Sequence, residues 1–310
     1  MNVVLAAEES AGLQILRALA ARKDHVVAVL TTPPKSNSTR VSLWNAAREL
    51  GFETLPAEHV KSATLAERLR SQGVDIFLNV HSLYIIHPEV LRAPKLGAFN
   101  LHPGPLPRYA GLNVVSWAIF RGELEHGVTV HRIDAEIDAG PIAYQSRFPI
   151  TADDTGLSLS LKSVREGITL MLRLLESATS EPESIPSIPQ DLALREYFGR
   201  EVPEQGRISW DWPASKVVNF VRACDYFPFP SPWGEPRSRV GVQDFALVRA
   251  SRTGLACGVC PGTVGESMNS GVYVACRDEW VLASKVHFEG MYVPAQDVLR
   301  PGDRLAESIS

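Results

Sequence analysis

The sequence predicts an α/β protein: a mostly parallel sheet with helices on both faces, followed by a smaller β-barrel. Three observations carry that reading. Short apolar runs at 3–6 and 26–30, as in strands buried on both faces, and a third strand at 75–80 recur in the first half. Between them lie segments with apolar residues three and four apart, the spacing of a helix with one buried face. Past residue 177 the alternation stops, and short strand-like runs separated by Gly and Pro take over.

In chain order, residues 10–22 set Leu13, Leu16, Leu19 and Ala20 on one face and predict the first helix, and 41–50 and 62–70 predict two more. A fourth strand is expected over 97–102, a helix over 113–120, and strands over 128–133 and 142–148. A long helix follows. Asp153 and Asp154 are expected to cap it, and Leu157, Leu161, Val164, Ile168, Met171 and Leu175 form its apolar stripe. Residues 177–189, rich in Ser, Glu and Pro, read as a linker or surface crossing. A helix over 214–224 and strands at 245–249, 271–276 and 280–286 complete the chain. The expected domains are 1–180 and 206–310, joined by a linker over 181–205.

The bulk numbers set bounds. A net charge of −4 over 310 residues provides no global positive field to gather nucleic acid. The first residues lack the basic region of a signal peptide. No apolar run reaches the ~20 residues of a membrane helix, so neither membrane nor secretion is expected and the location is read as cytoplasmic. The cysteines are Cys224, Cys257, Cys260 and Cys276. One CxxC without a second gives no four-ligand metal spacing, and reduced thiols are expected instead. No GxGxxG follows the first strand, which argues against a dinucleotide.

The chemistry concentrates in Phe99-Asn100-Leu101-His102-Pro103-Gly104-Pro105-Leu106-Pro107 and in Ile137-Asp138-Ala139-Gly140-Pro141. Alternate side chains of a strand share a face, so Asn100 and His102 project together. Pro103 ends the strand at its carboxyl end, where open α/β sheets place ligands. The prolines and Gly104 and Gly111 stiffen and shape the following turn. Asp138 lies in a loop after the strand at 128–133. If that strand neighbours 97–102, Asp138 faces His102, and a carboxylate there is expected to raise the imidazole pKa and orient the ring. An amide, an imidazole and a carboxylate around one centre suit transfer of an acyl group to an amine.

Asn100-Leu101-His102-Pro103, Leu106-Pro107, Gly111, Gly127-Val128-Thr129 and Asp138-Ala139-Gly140 resemble the signature of the formyltransferases that use 10-formyltetrahydrofolate. The resemblance is strongest over 74–175. It continues into Arg207-Ile208-Ser209-Trp210 and Arg222-Ala223, similar to the C-terminal, OB-like domain of the methionyl-tRNA enzyme. It implies a formyltransferase-type Rossmann-like fold, an OB-like barrel, and 10-formyltetrahydrofolate as formyl donor. It implies a catalytic trio at Asn100, His102 and Asp138. It places the folate along two loops, Tyr84, Ile85 and Ile86 in one and Asp134, Ala135, Glu136, Ile137 and Asp138 in the other. Asn100 and His102 would then donate hydrogen bonds to the formyl oxygen while Asp138 takes the amine proton. Two departures stand out. Gly104-Pro105-Leu106-Pro107 replaces the Ser-Leu-Leu-Pro of many relatives, and Leu112 falls where some carry an Arg. The short loop at 31–42, with only Lys35 and Arg40 as cations, lacks the long basic insertion of the tRNA enzymes. The expected partner is a small-molecule amine, such as an amino sugar nucleotide or a biosynthetic intermediate. tRNA is the alternative acceptor and hydrolysis of the folate a second alternative.

Overall fold

The structure is a computed structural model, described over residues 1–22, 24–34, 42–82 and 84–307. In chain order the elements are β1 (Asn2–Ala7), α1 (Glu9–Arg22), β2 (His25–Thr31), α2 (Leu43–Glu49), β3 (Thr54–Pro56), α3 (Ala63–Ser71), β4 (Ile76–Val80), α4 (Pro88–Leu91), β5 (Gly97–His102), β6 (Ala110–Gly111), α5 (Val114–Arg121), β7 (Glu125–Arg132), β8 (Ile142–Pro149), α6 (Gly156–Ser180) and β9 (Tyr197–Phe198). Then come α7 (Ala214–Ala223), β10 (Arg237–Val240), β11 (Gln243–Ala256), β12 (Val264–Met268), β13 (Gly271–Ala275), β14 (Glu279–Phe288), β15 (Met291–Pro294) and β16 (Leu305–Glu307). The chain clusters into two units. One holds Met1–Gly111, Gly127–Phe148 and Lys162–Tyr197; the other holds Leu112–His126, Pro149–Leu161 and Phe198–Ser310.

The first unit is built on a seven-stranded sheet in the order β3-β2-β1-β4-β5-β7-β8. β3, β2, β1, β4 and β5 run parallel, and β7 runs antiparallel to β5. The apolar runs form its middle because both faces are covered. Val3, Leu5 and Ala7 join one buried cluster with residues of α1, α2 and α6, while Val4 and Ala6 join another with residues of α3 and α4. Alternation along one strand thus feeds two cores, as a Rossmann-like sheet with helices on both faces requires. Among the described residues no helix is long and apolar enough to cross a membrane.

Two local expectations on α6 are corrected. Its cap is not Asp153 or Asp154. The Thr155 hydroxyl accepts from the Ser158 amide at 3.2 Å, and the Ser158 hydroxyl accepts from the Thr155 amide at 3.0 Å, a reciprocal box that satisfies two orphan donors. Asp154 instead accepts from the Thr151 amide at 2.7 Å and closes the preceding turn. Leu161 is 56% exposed, so the buried stripe runs through Val164, Met171 and Leu175 without it. A helix expected over 41–50 begins at Leu43, with the Ser42 hydroxyl accepting from the Asn45 amide. The cations Lys35 and Arg40 of the short loop lie outside the described residues.

The segment after α6 does not hang free. Ile185 is buried, and Ile188 exchanges both backbone hydrogen bonds with Ile142, at 2.8 and 3.0 Å, along the edge of the sheet. Its Ser- and Pro-rich composition hides this, because a single antiparallel bridge needs no periodic apolar pattern.

In the second unit, β12-β13-β14-β11-β10-β16 form an antiparallel sheet with β15 added on β14. The two ends of that path meet. The Leu305 amide donates to the Gly262 carbonyl at 2.8 Å and the Val264 amide to the Asp303 carbonyl at 2.9 Å. These bonds join the two end strands at one bridge, which covers part of the open edges, and the curled antiparallel sheet is OB-like as expected. Gly262 has φ +81°, and a Cβ there would stand 2.5 Å from the Leu305 carbonyl oxygen. Phe220 on α7 is fully buried in an aromatic group with Phe120, Trp212 and Trp233. Phe220→Ala is expected to destabilise this unit by about 3–5 kcal/mol, read as a drop in the midpoint of denaturant unfolding. The aromatic and proline stretch singled out at 225–233 divides. Trp233 is buried against Trp117 at 5.0 Å, whereas Phe227 and Phe229 are 74% and 60% exposed. All four cysteines are free thiols.

Candidate active site

β5 and β7 are neighbours, and their register sets Asn100 opposite His131 and His102 opposite Thr129. Asn100, His102 and His131 therefore share one face at the carboxyl end of β5. The loop leaving β7 returns Asp138 to the same place. Its Oδ2 stands 3.4 Å from His102 Nδ1 and accepts from the Gly111 amide at 2.9 Å; its Oδ1 stands 3.4 Å from His131 Nε2 and 3.5 Å from Asn100 Nδ2. The structure thus brings together Asn100, His102 and Asp138, the three groups singled out from sequence.

Hydrogen-bond partners assign the protons. His102 Nε2 lies 2.5 Å from the Tyr109 carbonyl oxygen, and His131 Nδ1 lies 2.8 Å from the Arg132 carbonyl oxygen. A carbonyl only accepts, so these nitrogens carry the hydrogens. In the neutral rings, His102 Nδ1 and His131 Nε2 are bare acceptors turned toward the carboxylate. Asn100 is oriented by the same logic. Asn79 Nδ2 donates to Asn100 Oδ1 at 2.8 Å, which turns Asn100 Nδ2 toward His131 Nε2 at 3.1 Å. One hydrogen of that amide is used there, and the second is directed at Asp138 Oδ1 over the longer distance of 3.5 Å.

The electrostatics follow from burial. His102 is 3% exposed, and burial holds its pKa below the usual 6.5 despite the raising effects of Asp138 and the Tyr109 carbonyl. Asp138 does raise this imidazole, as expected, but desolvation of the cation outweighs the neighbouring charge and the net direction is downward. Burial by itself would lift the Asp138 carboxyl. The His102 and His131 rings and the Gly111 amide outweigh it, and Asp138 lies well below the usual carboxylate range. At neutral pH the site holds an anionic carboxylate beside the His102 ring, which burial favours in its neutral form, a place that can receive a proton.

The turn after Pro103 is braced by Thr129, whose hydroxyl donates to the Gly104 carbonyl at 2.7 Å and accepts from the Leu106 amide at 3.2 Å. Asp138 has φ +56°, a left-handed backbone that costs a non-glycine residue about 1 kcal/mol. Gly140 lies against β7, where a Cβ would fall 2.0 Å from the Arg132 carbonyl oxygen. Backbone cannot yield as a side chain can. Gly140→Ala is expected to cost about 3 kcal/mol and to shift the Asp138 loop, seen as a lowered thermal midpoint together with lost activity.

The two loops read as folate-binding differ in exposure. Ile86 is buried in the core, Ile85 is 67% exposed, and the Tyr84 ring lies under Lys61 Nζ at 4.8 Å. Asp134, Ala135, Glu136 and Ile137 are exposed. Sequence reasoning passed over His131, Asn79 and Tyr109. His131 alternates in phase with Thr129, but its meeting with Asn100 depends on the register of two strands 31 residues apart. The Tyr109 contact is made by backbone, which no residue type announces.

Residues 1–175 match the model of the formyl transferase family, and residues 202–300 match that of the formyl transferase C-terminal domain. The chain belongs to the formyl transferase family. Solved structures share its fold. An N-formyltransferase from Helicobacter canadensis, in complex with folinic acid and dTDP-3-aminofucose, is 20% identical, with a TM-score of 0.69 over 91% of this chain and 98% of that one. WlaRD, a sugar 3N-formyltransferase in the presence of dTDP and 5-N-formyl-THF, is also 20% identical, with a TM-score of 0.69 over 91% and 97%. HypX from Aquifex aeolicus, in complex with tetrahydrofolic acid, is 20% identical, with a TM-score of 0.60 over 96% of this chain and 46% of HypX.

Proposed function

We propose that the protein moves the formyl group of 10-formyltetrahydrofolate onto the amine of a nucleotide-linked amino sugar. The observation that carries this is the convergence of Asn100, His102 and Asp138 on one centre in a chain of the formyl transferase family. The dTDP-3-aminofucose and folinic acid of the Helicobacter canadensis enzyme, and the dTDP and 5-N-formyl-THF of WlaRD, support the choice of acceptor and donor. The loops at Tyr84–Ile86 and Asp134–Asp138 are the places for the folate, with catalysis assigned to 1–180, an accessory domain to 206–310 and the connection to 181–205. Four free thiols fit a cytoplasmic location.

The attacking amine nitrogen forms a bond to the formyl carbon as the C=O pair moves onto oxygen. Asn100 Nδ2 stabilises that oxyanion with the hydrogen that otherwise makes the long 3.5 Å contact to Asp138 Oδ1. His102 takes a part other than the oxyanion donation expected from sequence: its one N–H is engaged by Tyr109, and Nδ1 is an acceptor. The amine proton passes to the notch between His102 Nδ1 and Asp138 Oδ2, charge that the buried carboxylate compensates. Collapse breaks the bond from carbon to the folate N10, which leaves as the amine after taking up a proton, and the formamide remains on the sugar.

The test is a panel of dTDP- and UDP-linked amino sugars with 10-formyltetrahydrofolate, followed by folate absorbance and product mass. A formylated sugar nucleotide with one tetrahydrofolate released per product is expected. Equal tetrahydrofolate release without any acceptor would establish the hydrolase instead, and formylation of methionyl-tRNA with steep salt dependence would establish the tRNA enzyme.

A further inference from the structure

Asp138 is held from outside its own loop. Gln190 Nε2 donates to the carbonyl of Asp138 at 2.9 Å and to that of Gly140 at 2.7 Å. Arg195 Nη2 donates to the carbonyl of Ile137 at 2.9 Å, and its Nη1 lies 3.3 Å from Glu136 Oε1. Two side chains from the segment after α6 thus grip three backbone carbonyls spanning the left-handed residue. A residue in that backbone region persists only when its surroundings over-determine it. The segment is anchored in turn, by the Ile142–Ile188 bridge on one side and by the donation of the Glu196 amide to the Arg108 carbonyl at 3.2 Å on the other.

We propose that Gln190 and Arg195 are positioning residues, a clamp that fixes the Asp138 carboxylate against His102 and so sets the rate of the transfer step. The inference rests on the formyl-transfer reading for its kinetic part and on geometry alone for its structural part. Both act on the loop backbone. Loss of the clamp frees the loop by roughly an ångström, a displacement that typically costs about 100-fold when a catalytic group is involved.

The experiment compares the full-length protein with Gln190→Leu, which keeps the shape and removes both donors, and Gln190→Glu, which faces two carbonyls with a carboxylate. Turnover at saturating substrates is expected to fall roughly 10- to 100-fold in both, with KM for the acceptor within about twofold, since both residues act on the loop backbone. A second readout needs no reaction. The ¹³C titration of the Asp138 carboxyl, assigned by its absence in Asp138→Asn, should move up toward the ordinary range in Gln190→Leu. The charged and titratable groups that face it are His102 on β5, His131 at the end of β7, and Arg195 and Glu136 beside the loop, with His81 past β4 acting on His102. If no acceptor is ever formylated, the titration still judges the clamp. Wild-type kcat together with an unmoved Asp138 titration in Gln190→Leu would overturn it. Should that variant fail to fold, Arg195→Met removes the second arm, and an unmoved titration there overturns the proposal equally.

Discussion

Asp138→Asn is expected to lower turnover by about 10³- to 10⁴-fold, the span seen when a buried catalytic carboxylate loses its charge. The substitution keeps shape and volume, and the amide oxygen still accepts from the Gly111 amide. Its NH₂ group then takes the place of Oδ1 and can donate to His131 Nε2 at about the right distance, while the amide oxygen keeps the place of Oδ2 beside His102 Nδ1. Asn is therefore well accommodated, and the defect is chemical rather than structural. The measurement pairs single-turnover formyl transfer with thermal unfolding and binding of a non-reacting folate analogue. Turnover near the parent's, with folding and binding intact, would refute the role of Asp138. The acid response should change too. Asp138 is held below the usual 3.8 in the native state, so the stability it contributes is present above that value and is lost as pH falls through the native one. Asp138→Asn removes that part of the acid sensitivity.

His102→Ala is expected to cost about 10²- to 10⁴-fold and to remove the acidic limb of the pH–rate profile. The neutral ring is the working form, because only it leaves Nδ1 free. Burial lowers its pKa below 6.5, so the wild-type rate should stay level through pH 6.5 and fall only in more acidic solution. A limb at or above 6.5 would contradict the neutral-acceptor role. Stability follows the same sign. Below 6.5 the unfolded chain takes up a proton that the native ring refuses, so the native state weakens as pH falls from 6.5 toward the lowered value.

Much of this site is legible in the chain because its parts are local. The alternation over 97–102 places Asn100 and His102 on one face, and Pro103 fixes the strand end beside them. The Pro-rich turn likewise follows that strand directly, whereas Thr129 reaches it from a neighbouring strand more than twenty residues on. Other features are absent from the pattern for physical reasons. Leu161 has the spacing of a buried residue, yet burial depends on what lies opposite a helix face, and more than half of it stays exposed. The capping residue of α6 differs from the expected aspartates because Thr155, Asp153 and Asp154 are all competent caps, and backbone geometry chooses among them. The raising effect of Asp138 on His102 follows from spacing, but the net lowering does not, because desolvation depends on what the fold packs around the ring.

The sequence by itself determined the fold class, the strand that carries the amide and imidazole, and the family, since periodicities of two and 3.6 and a contiguous motif are properties of short stretches. Tertiary structure decided which protons the imidazoles carry, that His131 and Asn79 join the site, and that residues 190 and 195 grip the Asp138 loop. Those outcomes depend on strand register, on backbone carbonyls shared by every residue type, and on burial. Each is created only when segments distant in the chain are brought into contact.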